Sequence, residues 1–475
     1  MKFIGRKKEL EKLEGLSKAR AHLVVIKGRR RIGKSRLVEE FAKGKKFIRI
    51  SGIPPEDGVN EQKQRDAFAL QLTKSLGIPR VTSYDWSDLF DLLYENIKTG
   101  KYVLLFDEIS WMGSMDPTFL GKFKNSWDMA FSKINGLIFI LCGSVSTWIE
   151  ENIIRSTGFF GRISLYLKVE ELSLSESNEF LEALNFKFSA HEKFKILSCT
   201  GGVPWYLEQI DGRLTADDNI SRMFFDRTSV LFNEFNLIFH DLFGNKGEIY
   251  KKILERLKSG SCDLNEIAKN IDYVKSGALS KYLDNLIEAS FISRDYSWKI
   301  KDGTMSRLSN YRLSDNYIRF YLKYIEPEKE KILSGNNDEF SMISNMPGWN
   351  AVMGLQFENL ILRNRKKIKE LLNIKLQDVV CDNPFFQRKT SSSAGCQIDY
   401  LIQTRFGTLF ACEIKFSRKE ISADIINEMQ TKLSNLKVPR GFAVVPVLIH
   451  ESGITDAVSD SSYFGHIIDF QQLLN

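Results

Sequence analysis

Gly28-Arg29-Arg30-Arg31-Ile32-Gly33-Lys34-Ser35 is a G-x-x-x-x-G-K-S octet. An apolar run at residues 23–26 precedes it, and a helical run, RLVEEFAK, follows. Strand, glycine-rich turn and helix in that order make a phosphate cradle. The two glycines let backbone N–H groups approach phosphate oxygens with no Cβ in the way. The helix start adds a dipole that favours negative charge. Lys34 then reaches the β- and γ-phosphates of a nucleotide, and Ser35 ligates Mg2+. Arg29, Arg30, Arg31, Ile32 and Arg36 are expected to frame the same ligand. ATP and Mg2+ are the expected cofactors.

Such a site needs carboxylates on a neighbouring strand. Residues 102–108 (YVLLFDE) read as an apolar strand ending in Asp107 and Glu108. That places both acids at the carboxyl edge of the sheet, where phosphates sit. Asp107 is expected to hold Mg2+ through water, and Glu108 to polarise the attacking water. Many strands end in acidic caps, so the pattern gains its meaning from the loop before it. A further strand, residues 137–141, runs into Cys142-Gly143-Ser144. Ser144 is read either as a sensor of the γ-phosphate or as an ordinary strand-end turn.

A second group of chemical residues lies near the other end of the chain. Residues 396–402 (CQIDYLI) and 409–416 (LFACEIKF) both alternate with period two. The segment 404–408 (TRFGT) between them suits a hairpin loop. Equal counts separate Asp399 and Glu413 from Phe406, so the register sets the two carboxylates opposite each other. Facing carboxylates repel, unless a divalent cation between them turns the cost into a site for a hard metal. Lys415 shares the face of Glu413 and is placed to orient a water or steady a phosphate oxygen.

The elements that must carry these residues can be outlined. Length alone predicts about three domains. Residues 1–170 alternate strand-like runs (22–28, 46–52, 102–108, 137–144) with helical patterns, the signature of a parallel α/β sheet. Residues 171–240 read as a helical lid, and 241–327 as three helices and a β-hairpin. Residues 326–350 read as a polar connection, and 328–475 as a further α/β domain. The spacing within 241–327 resembles a winged helix-turn-helix, whose third helix would offer Lys275, Ser276, Ser280 and Lys281 to DNA. Acids and lysines nearly balance over 264–289, a poor phosphate-binding face. The charge therefore favours a packing or relay module there over a DNA reader.

Composition excludes several classes. Apolar residues at 43% and charged residues at 27% are those of a globular chain, not of a disordered or collagen-like one. No apolar run reaches the length of a membrane span, no signal peptide opens the chain, and a cytoplasmic location with no membrane partner is expected. Six scattered cysteines and five isolated histidines suggest neither a disulfide framework nor a zinc site. The net charge of +7 conceals structure: residues 1–50 carry +12 and residues 351–440 carry +6. The first excess falls largely on the phosphate loop. The second suits a phosphate-rich ligand, although LRNRKKIK at 362–369 could also be a solvated helix face.

The N-terminal motifs resemble those of archaeal-type AAA+ ATPases and their signal-transducing STAND relatives. Phe3-Ile4-Gly5-Arg6-Lys7-Lys8-Glu9-Leu10 is similar to the box that opens those proteins, and the octet with Arg36 and Leu37 is similar to their loop. The resemblance, over residues 1 to about 325, implies that Arg6 lies near the nucleotide base. It also implies that Arg162, in Phe160-Gly161-Arg162, acts as a trans-acting finger, with a helix-capping arginine as the alternative. Pro204, in Thr200-Gly201-Gly202-Val203-Pro204, would contact nucleotide from the lid. The C-terminal segment resembles the PD-(D/E)xK nuclease superfamily, which implies a restriction-endonuclease-like fold. Its elements map onto Glu358 in a preceding helix, Asp399, and Glu413-Ile414-Lys415, with Gln430 a weaker helical candidate. Ile398 stands where a proline often precedes the aspartate. Together the resemblances imply an ATPase coupled to a metal-dependent nuclease, with Glu358, Asp399 and Glu413 as ligands and DNA favoured over RNA. The rival reading is a regulatory ATPase, possible as an ATP-dependent homo-oligomer, whose C-terminal domain binds without cutting.

Overall fold

The computed structural model describes residues 2–54, 56, 58–144, 146–243, 247–274, 277–335, 343–389 and 394–475. The chain divides into two compact units, Met1–Glu171 and Leu172–Asn475.

The first unit is built on five parallel strands: β1 His22–Lys27, β2 Lys46–Ser51, β3 Tyr102–Asp107, β4 Ile138–Gly143 and β5 Ile163–Lys168. Their spatial order is β2-β3-β4-β1-β5. Every residue of β1 is buried, as expected of a central strand covered on both faces. The four strands expected from apolar runs are present. The fifth was not legible in that way, because it lies at an edge and only Leu167 of its six residues is buried. Helices Glu61–Leu76, Trp86–Ile97 and Phe119–Met129 share one core with the sheet. Asn60 caps the first by accepting from Lys63 N, and Asp85 caps the second by accepting from Ser87 N. Phe106 on β3 meets Phe68 and Phe139 edge to face, with ring centroids 5.3 and 4.7 Å apart. This packing fixes the strand that carries Asp107.

The second unit begins with helices Leu174–Ala183, Ala190–Thr200, Ala216–Phe224 and Val230–Phe243. Helices Gly247–Leu257, Leu264–Asn270 and Gly277–Glu288 follow, then a hairpin of β6 Ile292–Trp298 and β7 Met305–Leu313. The described part of 326–350 consists of short helical turns, with Ile332 and Ile343 buried. A mixed sheet closes the unit: β8 Val379–Gln387, β9 Cys396–Thr404, β10 Thr408–Lys415, β11 Ala443–His450 and β12 His466–Asp469, in the order β12-β11-β10-β9-β8. β8, β9 and β10 are antiparallel neighbours; β10, β11 and β12 are parallel. A parallel return needs a crossover, and helix Asp424–Asn435 supplies it between β10 and β11.

The hairpin is tied to this mixed sheet. Trp298 and Ile300 are buried in one cluster with Phe385, Ile398 and Leu409. Trp298 Nε1 donates to Gln403 Oε1 at 2.6 Å, and Gln403 Nε2 donates to Ile300 O at 2.8 Å. The end of the hairpin is thus a packing element of the C-terminal domain. Of the residues offered by the third helix, Ser280 is half-buried and Lys281 exposed; Lys275 and Ser276 lie outside the described residues. Helix Ala190–Thr200 also meets the C-terminal elements: Phe194 lies 5.6 Å from Phe357 and 5.1 Å from Phe416, centroid to centroid. Among the described residues no helix is long and apolar enough to cross a membrane.

Candidate nucleotide site and C-terminal carboxylate site

The phosphate loop runs from the end of β1 into helix Lys34–Phe41. Arg31 and Gly33 adopt left-handed backbone, with φ of 69° and 85°. Gly28 is required by space: a Cβ there would stand 2.4 Å from Val169 O. Lys34 is buried, and its Nζ donates to Gly28 O and Arg29 O at 3.0 Å each and to Ser144 Oγ at 2.9 Å. Its ammonium is therefore aimed across the mouth of the loop.

The flanking arginines divide by role. Arg6, also left-handed at φ 60°, donates to Ile32 O at 3.1 Å and lies 3.6 Å from Glu9. It ties the first helix to the loop backbone. Arg29 is buried against Glu171 at 3.4 Å. Arg30 and Arg31 are half-buried, and exposed Arg36 lies 3.8 Å from Glu39.

Asp107 ends β3 beside the loop. Ser35 Oγ donates to its Oδ2 at 2.7 Å, and Arg49 of β2 donates to the same oxygen at 2.7 Å. Glu108 follows in left-handed backbone, φ 50°. Its carboxylate accepts from Ser144 N at 2.9 Å and from Ser144 Oγ at 2.5 Å. The pairing of Lys27 with Gly143 across β1 and β4 brings Ser144 level with the loop. Ser144 thus joins Lys34 to Glu108. Arg49 was absent from the sequence-based set. No local pattern marks it, because only the β2–β3 pairing brings it to Asp107.

A nucleotide with Mg2+ fits these residues. A buried lysine is held over the loop carbonyls, and a hydroxyl–carboxylate pair of hard oxygens stands beside it.

Arg162 is held on its own unit. Its Nε and Nη2 donate to Asp128 Oδ1 and Oδ2 at 2.6 and 2.7 Å, a bidentate pair. The Arg162 guanidinium holds the Asp128 carboxyl down at about 2. Pro204 opens the short helix Pro204–Leu207 in the second unit, at a position where its missing N–H costs nothing.

The C-terminal carboxylates follow the expected register. Leu409, Phe410, Ala411 and Cys412 pair with Gln403, Ile402, Leu401 and Tyr400, and the same alignment carries Glu413 to Asp399. Asp399 Oδ2 accepts from Ile414 N at 2.9 Å. Burial raises both carboxyls; Lys432 opposes the rise at Asp399, and Asp399 adds to it at Glu413. Two ammonium groups, Lys432 and Lys415, lie within ion-pair distance of Glu413. Lys432 Nζ, from helix Asp424–Asn435, lies 2.5 Å from Glu413 Oε2 and 4.0 Å from Asp399 Oδ1. Lys415 Nζ stands 3.9 Å from Glu413 Oε1 but 2.5 Å from Glu428 Oε2.

Glu358 lies within electrostatic reach of both carboxylates: its charge adds to the rise at Asp399, and that of Glu413 adds to the rise at Glu358. Among the described residues no group of three or more His, Cys, Asp and Glu side chains is placed to hold a metal ion. Burial raises the Glu358 carboxyl, and the buried guanidinium groups of Arg312 and Arg319 oppose that rise. Gln430 is exposed. Lys432 was missed by sequence reasoning, although a signal was present. It is a charged residue within the apolar stripe formed by Ile425, Met429 and Leu436, all buried.

A parallel sheet with a phosphate loop after β1, and a carboxylate at the end of β3 bonded to the loop serine, defines a P-loop ATPase fold and site. Residues 3–210 match the model of a family of ATPase domains found predominantly in Archaea. The chain is 28% identical to the uncharacterized protein MJECL04 of Methanocaldococcus jannaschii over 359 residues, 75% of this chain and 76% of that one. It is 44% identical over 50 residues to the uncharacterized ATP-binding protein MJ0423 of the same organism, 10% of this chain and 85% of that one. In structure it is similar to the Walker-type ATPase PABY2304 of Pyrococcus abyssi, with a TM-score of 0.50 and 18% identity, over 68% of this chain and 96% of that one.

Proposed function

We propose that this chain hydrolyses ATP at the phosphate loop and couples that cycle to a C-terminal domain acting on nucleic acid phosphodiesters. The observation that carries the first half is the chain of bonds Lys34–Ser144–Glu108, beside Ser35–Asp107. Lys34 is placed for the β- and γ-phosphates, and Glu108, held at both oxygens, for the attacking water. The chemistry a bound Mg2+ supplies is neutralisation of the charge on the phosphates. For the second half, the support is Asp399 facing Glu413 with Lys415 on the same strand face. Asp399 and Glu413 would hold a divalent cation, and Lys415 would steady a phosphate oxygen. The excess of Lys and Arg over 351–440 suits a polynucleotide, DNA favoured over RNA.

The test is the purified chain with Mg2+ or Mn2+, with and without ATP, against single- and double-stranded DNA and RNA. Phosphate release from ATP, and divalent-dependent cleavage that Glu413→Ala abolishes, are the expected results. Cleavage that survives Glu413→Ala would remove this site from the reaction.

One observation favours a second reading. Glu413 and Lys415 are both engaged by helix Asp424–Asn435. A C-terminal domain that binds nucleic acid or a protein partner without cutting, controlled by ATP-dependent self-assembly, agrees with that arrangement. Size-exclusion chromatography with ATP and with ADP separates the readings: a nucleotide-dependent change of mass without cleavage supports the second.

A further inference from the structure

The helix that crosses from β10 to β11 does more than connect them. Glu428 and Lys432 are four residues apart, so they project from one face of helix Asp424–Asn435. Each binds one of the groups the phosphodiester reading needs. Glu428 Oε2 accepts from Lys415 Nζ at 2.5 Å, and Lys432 Nζ donates to Glu413 Oε2 at 2.5 Å.

We propose that this helix is a charge clamp: Lys432 takes the place of the divalent cation between Asp399 and Glu413, while Glu428 withholds Lys415 from Glu413. The inference rests on the phosphodiesterase reading of the site.

The argument is steric and electrostatic. A divalent cation sits about 2.0–2.6 Å from carboxylate oxygens. Lys432 Nζ already contacts Glu413 Oε2 and points at Asp399 Oδ1, 4.0 Å away. An ammonium and a divalent cation sharing that oxygen would repel strongly in a half-buried setting. Binding a metal therefore requires the Lys432 ammonium to leave. It has a route, since the side chain is 30% exposed. The helix itself is anchored by buried Ile425 and Met429, so the head can swing outward without the helix undocking. Cation affinity is then set by a competition within the chain, and anything that draws Lys432 outward, such as a backbone phosphate, strengthens metal binding.

The test is Mn2+ binding to the full, nucleotide-free chain by isothermal titration calorimetry. Lys432→Met keeps the apolar stem and removes the charge. It is expected to bind Mn2+ at least about tenfold more tightly than the wild type, and Lys432→Met with Glu413→Gln is expected to lose that gain. Should Lys432→Met fail to melt like the wild type, Lys432→Gln removes the same charge. An affinity within about twofold of the wild type, no binding by either protein, or a gain that survives Glu413→Gln would each overturn the clamp. A gain in affinity with no cleavage by any variant would support the clamp and remove the phosphodiesterase reading. Cleavage by the wild type with no gain in Lys432→Met would do the reverse.

Discussion

The Ser144 hydroxyl donates to Glu108 Oε1 at 2.5 Å while accepting from Lys34 Nζ at 2.9 Å. One side chain therefore holds both the Glu108 carboxylate and the Lys34 ammonium. Ser144→Ala removes these bonds but leaves the loop backbone intact. The expected result is a fall in kcat for ATP hydrolysis of about ten- to a hundredfold, as for other supporting residues, with ATP affinity changed far less. Steady-state kinetics beside direct ATP titration check this; equal losses in both would show that Ser144 only shapes the pocket.

Lys34→Ala leaves the carbonyls of Gly28 and Arg29 without their donor and the phosphates without their cation. ATP affinity is expected to fall by on the order of a hundredfold or more. Unchanged affinity in calorimetry would contradict the assignment of the loop.

Trp298 links the hairpin to the C-terminal sheet and is 3% exposed. Trp298→Ala is expected to destabilise the second unit by about 3–5 kcal/mol. A lowered urea midpoint by far-ultraviolet circular dichroism reads the effect. A shift of the size of an exposed substitution would mean that the hairpin is not part of that core.

His191 Nδ1 lies 2.8 Å from Glu451 Oε1, and this bond raises the imidazole above its usual 6.5. A folded-state value above the unfolded one means protonation favours the folded chain. The contribution is complete below about pH 6.5 and fades as pH rises through the folded value. Because His191 is half exposed, the effect is small. Melting temperatures of the wild type and His191→Gln are expected to differ at about pH 5.5 and to converge at about pH 8.5; a gap that is constant with pH would show the pair is not charged.

Much of the nucleotide site was legible because its parts are contiguous. The strand, glycines, Lys34 and Ser35 lie within fourteen residues, 22–35, so local pattern alone fixes their mutual placement. Asp399 and Glu413 were legible for a similar reason: period two and a short turn set the register, which the pairing of Cys412 with Tyr400 follows. What local pattern does not reach is contact between distant segments. Arg49 meets Asp107 through strand pairing, and Glu171 meets Arg29 across 142 residues of sequence. The edge strand β5 was hidden because its open side leaves it half polar.

The sequence by itself determined the phosphate loop, the acids at the end of β3 and the facing pair Asp399 and Glu413, since short-range geometry allows each only one arrangement. Tertiary structure decided what those groups touch. Ser144 became the link between Lys34 and Glu108 because β4 lies beside β1, and Lys432 became the counter-ion of Glu413 because a crossover helix must pack on the sheet that carries it. Charge attracts across whatever distance the fold leaves, and that distance is written in packing, not in spacing along the chain.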